Sequence, residues 1–251
     1  MKNKLFSIEK FAEYCTTVDL NPPKNLFHGF PKGGPMDVNS ATQVLEILDD
    51  DTTIIETALR AATIKFKEDC WLVITGADMG WCIDLKRLTL GKATKVKSDQ
   101  VLTGTFAKYG FRSYLGITDR RPNSKKKIKH QLLVNDSIEI QRGPDWNCLS
   151  QDSKMKLMMY EAHLTPDADR TGAYLIGDDL ILKTNFPKAS VCTFPGVIQL
   201  LPNGQLVILL NDGQNTGGYP RVAYLKGKEL TKLSQLRPGS QLTLNLSIKS
   251  L

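Results

Sequence analysis

The chain has little of what metal, thiol or membrane chemistry requires. Its three histidines, His28, His130 and His163, lie far apart, with no H-E-x-x-H pattern and no zinc-type spacing. Metal-dependent hydrolysis is therefore disfavoured, as is serine-type catalysis, since nothing hints at a Ser-His-Asp arrangement. The five cysteines (Cys15, Cys70, Cys82, Cys148 and Cys192) are odd in number and include no C-x-x-C pair. That argues against a disulfide framework and makes a reducing cytoplasm the expected location. No run approaches the roughly 20 apolar residues of a membrane span, and the stretch Met1–Lys10 lacks the apolar core of a signal peptide. The net charge is +7, yet the one dense basic run, Lys125-Lys126-Lys127-Ile128-Lys129-His130, has no interleaved aromatics. Without a helix-turn-helix, finger or RNA-recognition pattern beside it, neither a nucleic-acid nor a membrane partner is expected. A solvated loop or a strand edge kept from pairing by lysines accounts for the run. The positive excess suits small anionic substrates better.

What the chain does have is short apolar runs broken by turns. Thr53–Thr57, Trp71–Thr75, Cys82–Leu85, Tyr114–Ile117, Gln131–Val134, Leu180–Leu182 and Val191–Phe194 read as strands. Turn residues separate them at the spacing of an all-β barrel or sandwich. Helical periodicity is sparse. Asn39-Ser40 can cap a helix over Ala41–Leu48, Ser150 one over Ser153–Tyr160, and Lys228–Leu236 runs out at Pro238-Gly239. Met155, Leu157, Met158 and Met159 read as core filling. Lys156 beside Met155 superficially resembles a biotin carrier's acceptor lysine, but its helical pattern argues against biotinylation. At 251 residues the chain can form one large or two small domains. The break in strand pattern at Arg142–Cys148 places probable lobes at 4–145 and 146–249 of a domain covering 4–249.

The most informative stretch is Leu210-Asn211-Asp212-Gly213-Gln214-Asn215-Thr216-Gly217-Gly218-Tyr219-Pro220-Arg221. Two apolar runs, Gly196–Leu200 and Leu206–Leu210, flank Pro202-Asn203-Gly204, and Asn-Gly between such runs is a strong hairpin signal. The hairpin delivers a polar, glycine-rich loop. Asp212 can orient a polar substrate group or act as a base, while the Gly217-Gly218 amides can bind a carboxylate or a developing oxyanion. Tyr219-Pro220 would stiffen the exit, and Arg221 can grip a carboxylate or phosphate bidentately. An Ω-loop with a capping aspartate, and an ion pair between Arg221 and Asp212 or another acid, are the alternatives.

Other constellations are weaker. Asp78, after Gly76-Ala77 at the end of an apolar strand, is either a cleft acid or an Asx-turn cap. Lys32-Gly33-Gly34-Pro35-Met36-Asp37 can set amides against an anion ahead of a helix, or Asp37 can simply cap that helix. No Gly-Lys-Ser/Thr follows, so it is not a P-loop. Taken alone, Gln199 and Asp169-Arg170 read as polar groups paired across strands.

The order of these elements resembles one family. Phe30-Pro31-Lys32-Gly33-Gly34-Pro35-Met36-Asp37, Ile55-Glu56-Thr57 with Ile74-Thr75-Gly76-Ala77-Asp78, Gly110–Leu115, Arg142-Gly143-Pro144 and Asp169-Arg170-x-Gly172 fall in register. So do Pro195–Gln199, Pro202–Gln205, Asp212–Arg221 and Gln235–Gly239, over positions 16 to 246. The chain is similar to the biotin-dependent carboxyltransferase, or allophanate hydrolase subunit 2, family, of the type found as the C subunit of 5-oxoprolinase (KipA). The resemblance implies a mainly β fold of two cyclophilin-like β-barrel lobes, with a few short helices and a shared cleft. It implies a part in ATP-dependent opening of 5-oxoproline to glutamate, alongside a KipI-like (B-type) sister chain and an A-type partner. ATP then belongs to the complex and need not touch this chain. The alternatives are a non-catalytic regulatory partner of the KipI-like chain, and a carboxyltransferase using carboxybiotin on urea or amide substrates. By resemblance, Asp212 and Asp78 are the catalytic candidates. Gln199, Thr216, Gly217, Gly218, Tyr219, Arg221, Gly33, Gly34, Met36, Asp37, Asp169 and Arg170 are the candidate substrate-binding residues. The sequence departs from the family in two places. An early Q-D-x-G-R element is reduced to Thr16–Pro22. A glycine-rich continuation after Gly116-Ile117-Thr118-Asp119 is replaced by Arg120–Ser124 and the lysine run.

Overall fold

Between Leu133 and Val134 the chain passes from one packing unit to another. The computed structural model describes residues 4–10, 12, 14–22, 29–48, 52–122, 130–183 and 189–247. One unit comprises Met1–Asn21 with Asp37–Leu133, the other Pro22–Met36 with Val134–Leu251. The division thus differs from the expected one at residue 145, and the reason is strand pairing. Ser137–Arg142 runs parallel to Gln241–Leu246 and antiparallel to Arg221–Tyr224, so it belongs to the second unit. Gly143-Pro144 ends that strand without ending the unit. The run Lys125–Lys129 lies outside the described residues.

The expectation of mainly β structure holds. In the first unit, ten strands form two five-stranded sheets. Arg112–Thr118 is central in one of them, between Thr53–Ala58 and Cys70–Gly76. It is buried along its whole length, which explains why it reads as a continuous apolar run rather than an alternating one. The helix Val38–Ile47 buries Ala41, Val44 and Ile47 against Ile54, Val73 and Tyr114. Its N-cap is Asp37, whose carboxylate accepts from the Ser40 amide at 2.9 Å and the Ser40 hydroxyl at 2.5 Å. Asn39 and Ser40, expected to cap, lie inside the helix instead, because the aspartate satisfies the free amide three residues on, a contribution of about 1 kcal/mol. Gln131–Val134 is not a strand; Gln131 instead exchanges hydrogen bonds with the Gln43 side chain at 2.8 and 3.1 Å.

The second unit is a closed seven-stranded barrel, ordered Ser137–Arg142, Arg221–Tyr224, Val197–Leu200, Leu206–Leu209, Gly172–Gly177, Met159–Leu164 and Gln241–Leu246. The parallel pairing of its first and last members closes the ring and removes the exposed edges. Ile138, Ile140, Tyr160, Leu175, Ile198, Ile208, Val222, Leu242 and Leu244 fill the interior. Each such side chain stabilises the fold by about 1.5–3 kcal/mol.

The hairpin Val197–Leu200 with Leu206–Leu209 forms as expected, but its turn differs. Of Asn203 and Gly204 only the glycine takes positive φ, at 83°. The Gly204 amide donates to the Leu201 carbonyl at 3.0 Å. Pro202 fixes φ near −65° and so selects a type I turn followed by a left-handed glycine. The helix capped by Ser150 spans only Gln151–Lys156, since Met159–Leu164 is a barrel strand. Met155, Met158 and Met159 are consequently exposed rather than core residues, while Leu157 is buried. Leu180–Leu182 contributes a single bridge, from Leu182 to Leu149.

Gly116 explains how closely the helix can lie on its sheet, for a Cβ there would sit 2.1 Å from Val44 Cγ1. Gly116→Ala is expected to destabilise the protein by about 1–3 kcal/mol through overpacking. Val44→Ala should recover part of that loss in the double variant, measured by denaturant unfolding.

Candidate functional site

The loop after the hairpin is held from below. Asp212 receives a bidentate grip from Arg170, Nε to Oδ2 at 2.6 Å and a terminal nitrogen to Oδ1 at 3.1 Å. The same guanidinium reaches the Gly34 carbonyl at 2.7 Å. Three further bonds tie Phe30–Pro35 to the loop. The Gly33 amide donates to the Asn211 carbonyl at 2.8 Å, and the Asn211 side chain donates to the Pro35 carbonyl at 2.6 Å. The Asn215 side chain donates to the Phe30 carbonyl. Gly33 and Gly34 take φ of 67° and 86°, conformations that a β-carbon would strain. These glycines therefore shape a strap, with the Gly33 amide already occupied rather than presented to an anion. Met36 follows the strap into the barrel core.

The flanking charges are also committed. Arg221 donates from its backbone amide at 2.9 Å and its Nε at 3.1 Å to the Asp145 carboxylate. A terminal nitrogen of Arg221 reaches the Cys192 carbonyl at 3.1 Å. The ion-pair alternative for Arg221 is the observed one, with Asp145 as the acid rather than Asp212. Asp169 is the hub of an Asx turn, its Oδ1 accepting from the Thr171 amide and hydroxyl and the Gly172 amide at 2.6–3.0 Å. Burial opposes ionisation there, but the Thr171 hydroxyl and the amides prevail and lower the Asp169 pKa below its ordinary 3.8. Asp169-Arg170 is therefore a turn and a clamp rather than a pair facing across strands.

Above these anchors sits a hollow of about 900 Å³ lined by residues that include Gln214, Thr216, Gly217, Gly218, Tyr219 and Pro220. Thr216–Gly217 pairs with Val191–Cys192. Gln199 lies fully buried beneath, donating to the Tyr219 carbonyl at 3.4 Å and accepting from Gln214 Nε2 at 3.4 Å. Both bonds are long against a typical 2.9–3.0 Å. A Cβ on Gly217 would meet Gln214 Nε2 at 2.7 Å and Gln199 Nε2 at 2.8 Å, so only glycine lets the two amides converge. Chemically this is a cluster of neutral donors and acceptors, suited to a planar amide or urea group. Gln214, Asp145, Asn211 and Asn215 were not singled out among the site residues from sequence. Of these Gln214 carries a signal, as an amide in the polar, glycine-rich loop between Asp212 and the paired glycines.

The first unit holds the other two acids. Asp78 accepts from the Gly80 amide at 2.9 Å and pairs with Arg87 at 2.6 Å, so it closes a turn at the surface. Asp37 is the helix cap described above. Its amide donates to the Tyr114 hydroxyl at 2.7 Å, which donates to Glu56 at 2.7 Å. Burial and the nearby Glu56 and Asp37 charges raise the Tyr114 pKa well above its ordinary value.

This architecture defines a carboxyltransferase domain. The chain matches the family described as carboxyltransferase domain, subdomain A and B, over residues 28–121 and 118–246, and it belongs to that family. Among named relatives, the C subunit of 5-oxoprolinase from Escherichia coli K12 is 27% identical over 258 aligned residues, covering 84% of this chain and 83% of the relative. The C subunit of the Haemophilus influenzae 5-oxoprolinase is 25% identical, covering 76% and 74%. Among solved structures, the K. lactis urea amidolyase superposes with a TM-score of 0.84 at 16% identity, covering 96% of this chain but 18% of that chain. That likeness is one of fold. No helix among the described residues is long and apolar enough to cross a membrane.

Asp212→Ala removes the carboxylate from the Arg170 fork, leaving the Gly34 carbonyl among its partners, and is expected to cost about 2 kcal/mol. A double-mutant cycle with Arg170→Ala should return a coupling of about 1–3 kcal/mol; additive effects would mean that the clamp does not hold the loop. Because folding depresses the Asp169 pKa, its contribution is present above the unfolded value of 3.8 and is lost as pH falls through the lower folded value. Asp169→Asn should flatten the acid limb of a stability–pH profile.

Proposed function

We propose that this chain is a C-type component of an ATP-dependent 5-oxoprolinase, opening 5-oxoproline to glutamate together with a KipI-like, B-type sister chain and an A-type partner. The observation that carries the reading is Gln214 on the wall of the hollow, its side chain held by buried Gln199 beside Gly217. A cyclic amide presents one carbonyl and one N–H in a plane, and a side-chain amide offers a donor and an acceptor complementary to both. Relatives named as the C subunit of this enzyme support the same substrate class. In this reading the loop binds and orients the ring amide, and the Gly217-Gly218 amides stabilise charge developing on its oxygen. ATP is consumed at the level of the complex. Asp212 acts through the Arg170 clamp as a positioning residue, and Asp78 in the other unit is not assigned a chemical step.

A second reading, a non-catalytic regulatory partner of the KipI-like chain, is favoured by one specific fact. Asp212, Arg221 and Asp78, the charged candidates for chemistry, are all engaged in internal ion pairs.

Reconstitution with the partner chains, 5-oxoproline and ATP separates the two. The first reading expects ATP-dependent glutamate release that Gly217→Val lowers by about 100-fold in kcat/KM without disturbing assembly. A reconstituted complex that releases no glutamate overturns it. Full turnover by Gly217→Val and Gln199→Ala in an intact complex establishes the regulatory reading instead.

A further inference from the structure

Between Leu85 and Ser98 the chain carries Lys86, Arg87, Lys92, Lys95 and Lys97 and not one acidic residue. Apolar and hydroxyl residues separate these cations, so the segment does not stand out in sequence as Lys125–Lys129 does. The fold of the first unit gathers four of them. Lys86, Arg87, Lys92 and Lys95 line one hollow of about 570 Å³, to which Thr89 and Thr94 add hydroxyl groups.

Acids do little to offset this charge. Asp84 is the one carboxylate among the described residues lining the hollow, and it accepts from Gln100 Nε2 at 2.6 Å. Arg87 pairs with Asp78 at 2.6 Å and Lys95 with Asp69 at 3.6 Å, both acids standing off the wall. These pairs are open to solvent, the weakest class of ion pair, so their cations can turn to another anion at small cost. Lys86 and Lys92 form no ion pair with a described residue. Cations around one concavity repel each other, and the concavity focuses their field on an incoming anion.

The hairpin that presents Lys86 and Arg87 is held in a costly conformation. Cys82–Ile83 pairs with Lys86–Arg87 across the two-residue turn Asp84-Leu85. Both turn residues have positive φ, 49° and 66°. Such turns ordinarily take Asn-Gly, and a bulky leucine there is strained. Leu85 is 98% exposed, so its burial returns nothing. Residues kept in such conformations cluster at ligand sites. Here the tight turn sets Lys86 opposite Ile83, and both line the hollow.

We propose that this hollow binds a polyphosphate chain, the linked phosphates of a nucleoside di- or triphosphate. Lys86 and Arg87 come from the hairpin, Lys92 and Lys95 from the segment that enters the strand Thr94–Val96. Cations drawn from two segments suit several linked phosphates better than a lone one. The lysines neutralise separate phosphates as point charges, and the Arg87 fork grips one bidentately. No aromatic side chain lines the hollow to stack a base, so recognition is of the phosphates and not of the nucleoside. The site lies in the first unit, away from the Gln199–Gln214 cluster, and does not rest on the 5-oxoprolinase reading.

The test is calorimetric titration of the full chain with tripolyphosphate, ATP, GTP and adenosine at constant ionic strength. The first three are expected to bind with similar affinity and adenosine not to bind. Lys86→Gln/Lys92→Gln, at two exposed positions, should weaken all three by on the order of tenfold or more. Lys126→Gln/Lys127→Gln removes equal charge elsewhere in the sequence and should change them by less than about twofold. No heat from tripolyphosphate at millimolar concentration, or equal weakening by the two variants, overturns the proposal. So does tighter binding of a single-stranded oligonucleotide, which would reassign the hollow to nucleic acid. Lysine acylation followed by mass spectrometry gives a local readout. Tripolyphosphate should slow modification of Lys86 and Lys92 and leave Lys97, exposed but off the hollow, unchanged. Equal protection of Lys97 counts against the site.

Discussion

The Arg170 fork is the interaction on which the candidate site depends. One guanidinium closes on the Asp212 carboxylate and on the Gly34 carbonyl, so two segments far apart in sequence share one anchor. The strap's hydrogen bonds cannot hold it alone. Each contributes about 1 kcal/mol net, or about 2 where a charge takes part, whereas ordering each backbone residue costs about 1–2 kcal/mol. Seven residues from Phe30 to Met36 therefore come out near balance at best. Two things tip it. Met36 enters the barrel core, worth about 1.5–3 kcal/mol, and Pro31 and Pro35 restrict the unfolded strap. The loop bearing Gln214 and Gly217 is thus anchored at its base in part through the burial of a distant apolar side chain, Met36.

Once the charges are committed to anchoring, recognition falls to neutral groups. Arg170 with Asp212 and Arg221 with Asp145 cancel in pairs, leaving Gln214, three hydroxyl-bearing residues and two glycines among leucines and prolines around the hollow. In the proposed reading it is the neutral ring amide of the substrate, not its carboxylate, that meets such an environment, because an unpaired charge in the same place would impose a desolvation penalty on that amide. Weak mutual bonds at 3.4 Å between the glutamines and their partners carry the same implication. They are long, so they hold the two amides only loosely.

Much of this was legible in sequence, and the misses share a cause. The hairpin, the glycine-rich loop and the β-rich pattern rest on local chemistry, namely turn residues and apolar runs, and these were readable. What local pattern does not carry is the identity of distant partners. Asp145 and Arg221 are brought together by strand pairing between Arg142 and Ala223. The closing strand Gln241–Leu246 finds Ser137–Arg142 only across the whole barrel, so the boundary near residue 145 looked natural. The methionines after Ser150 fall outside the core because a six-residue helix gives way to a strand. An alternating strand beginning at Met159 exposes residues that a continued helix would have buried.

The two acids of the first unit sharpen the point about what marks a site. Asp37 is fully buried, with both carboxylate oxygens satisfied by Ser40, and Asp78 closes a turn while pairing with Arg87. Their motifs read as chemistry because aspartate after glycine is common to catalytic loops and to caps. The distinguishing feature is whether hydrogen-bonding capacity remains once the fold has taken its share. Asp37 retains little. Gln214, which lines the hollow and is tied to Gln199 by a bond as long as 3.4 Å, retains more. Residual capacity of this kind is invisible to residue spacing, because it depends on which neighbours happen to arrive. It is what separates a motif that builds the protein from one that awaits a ligand.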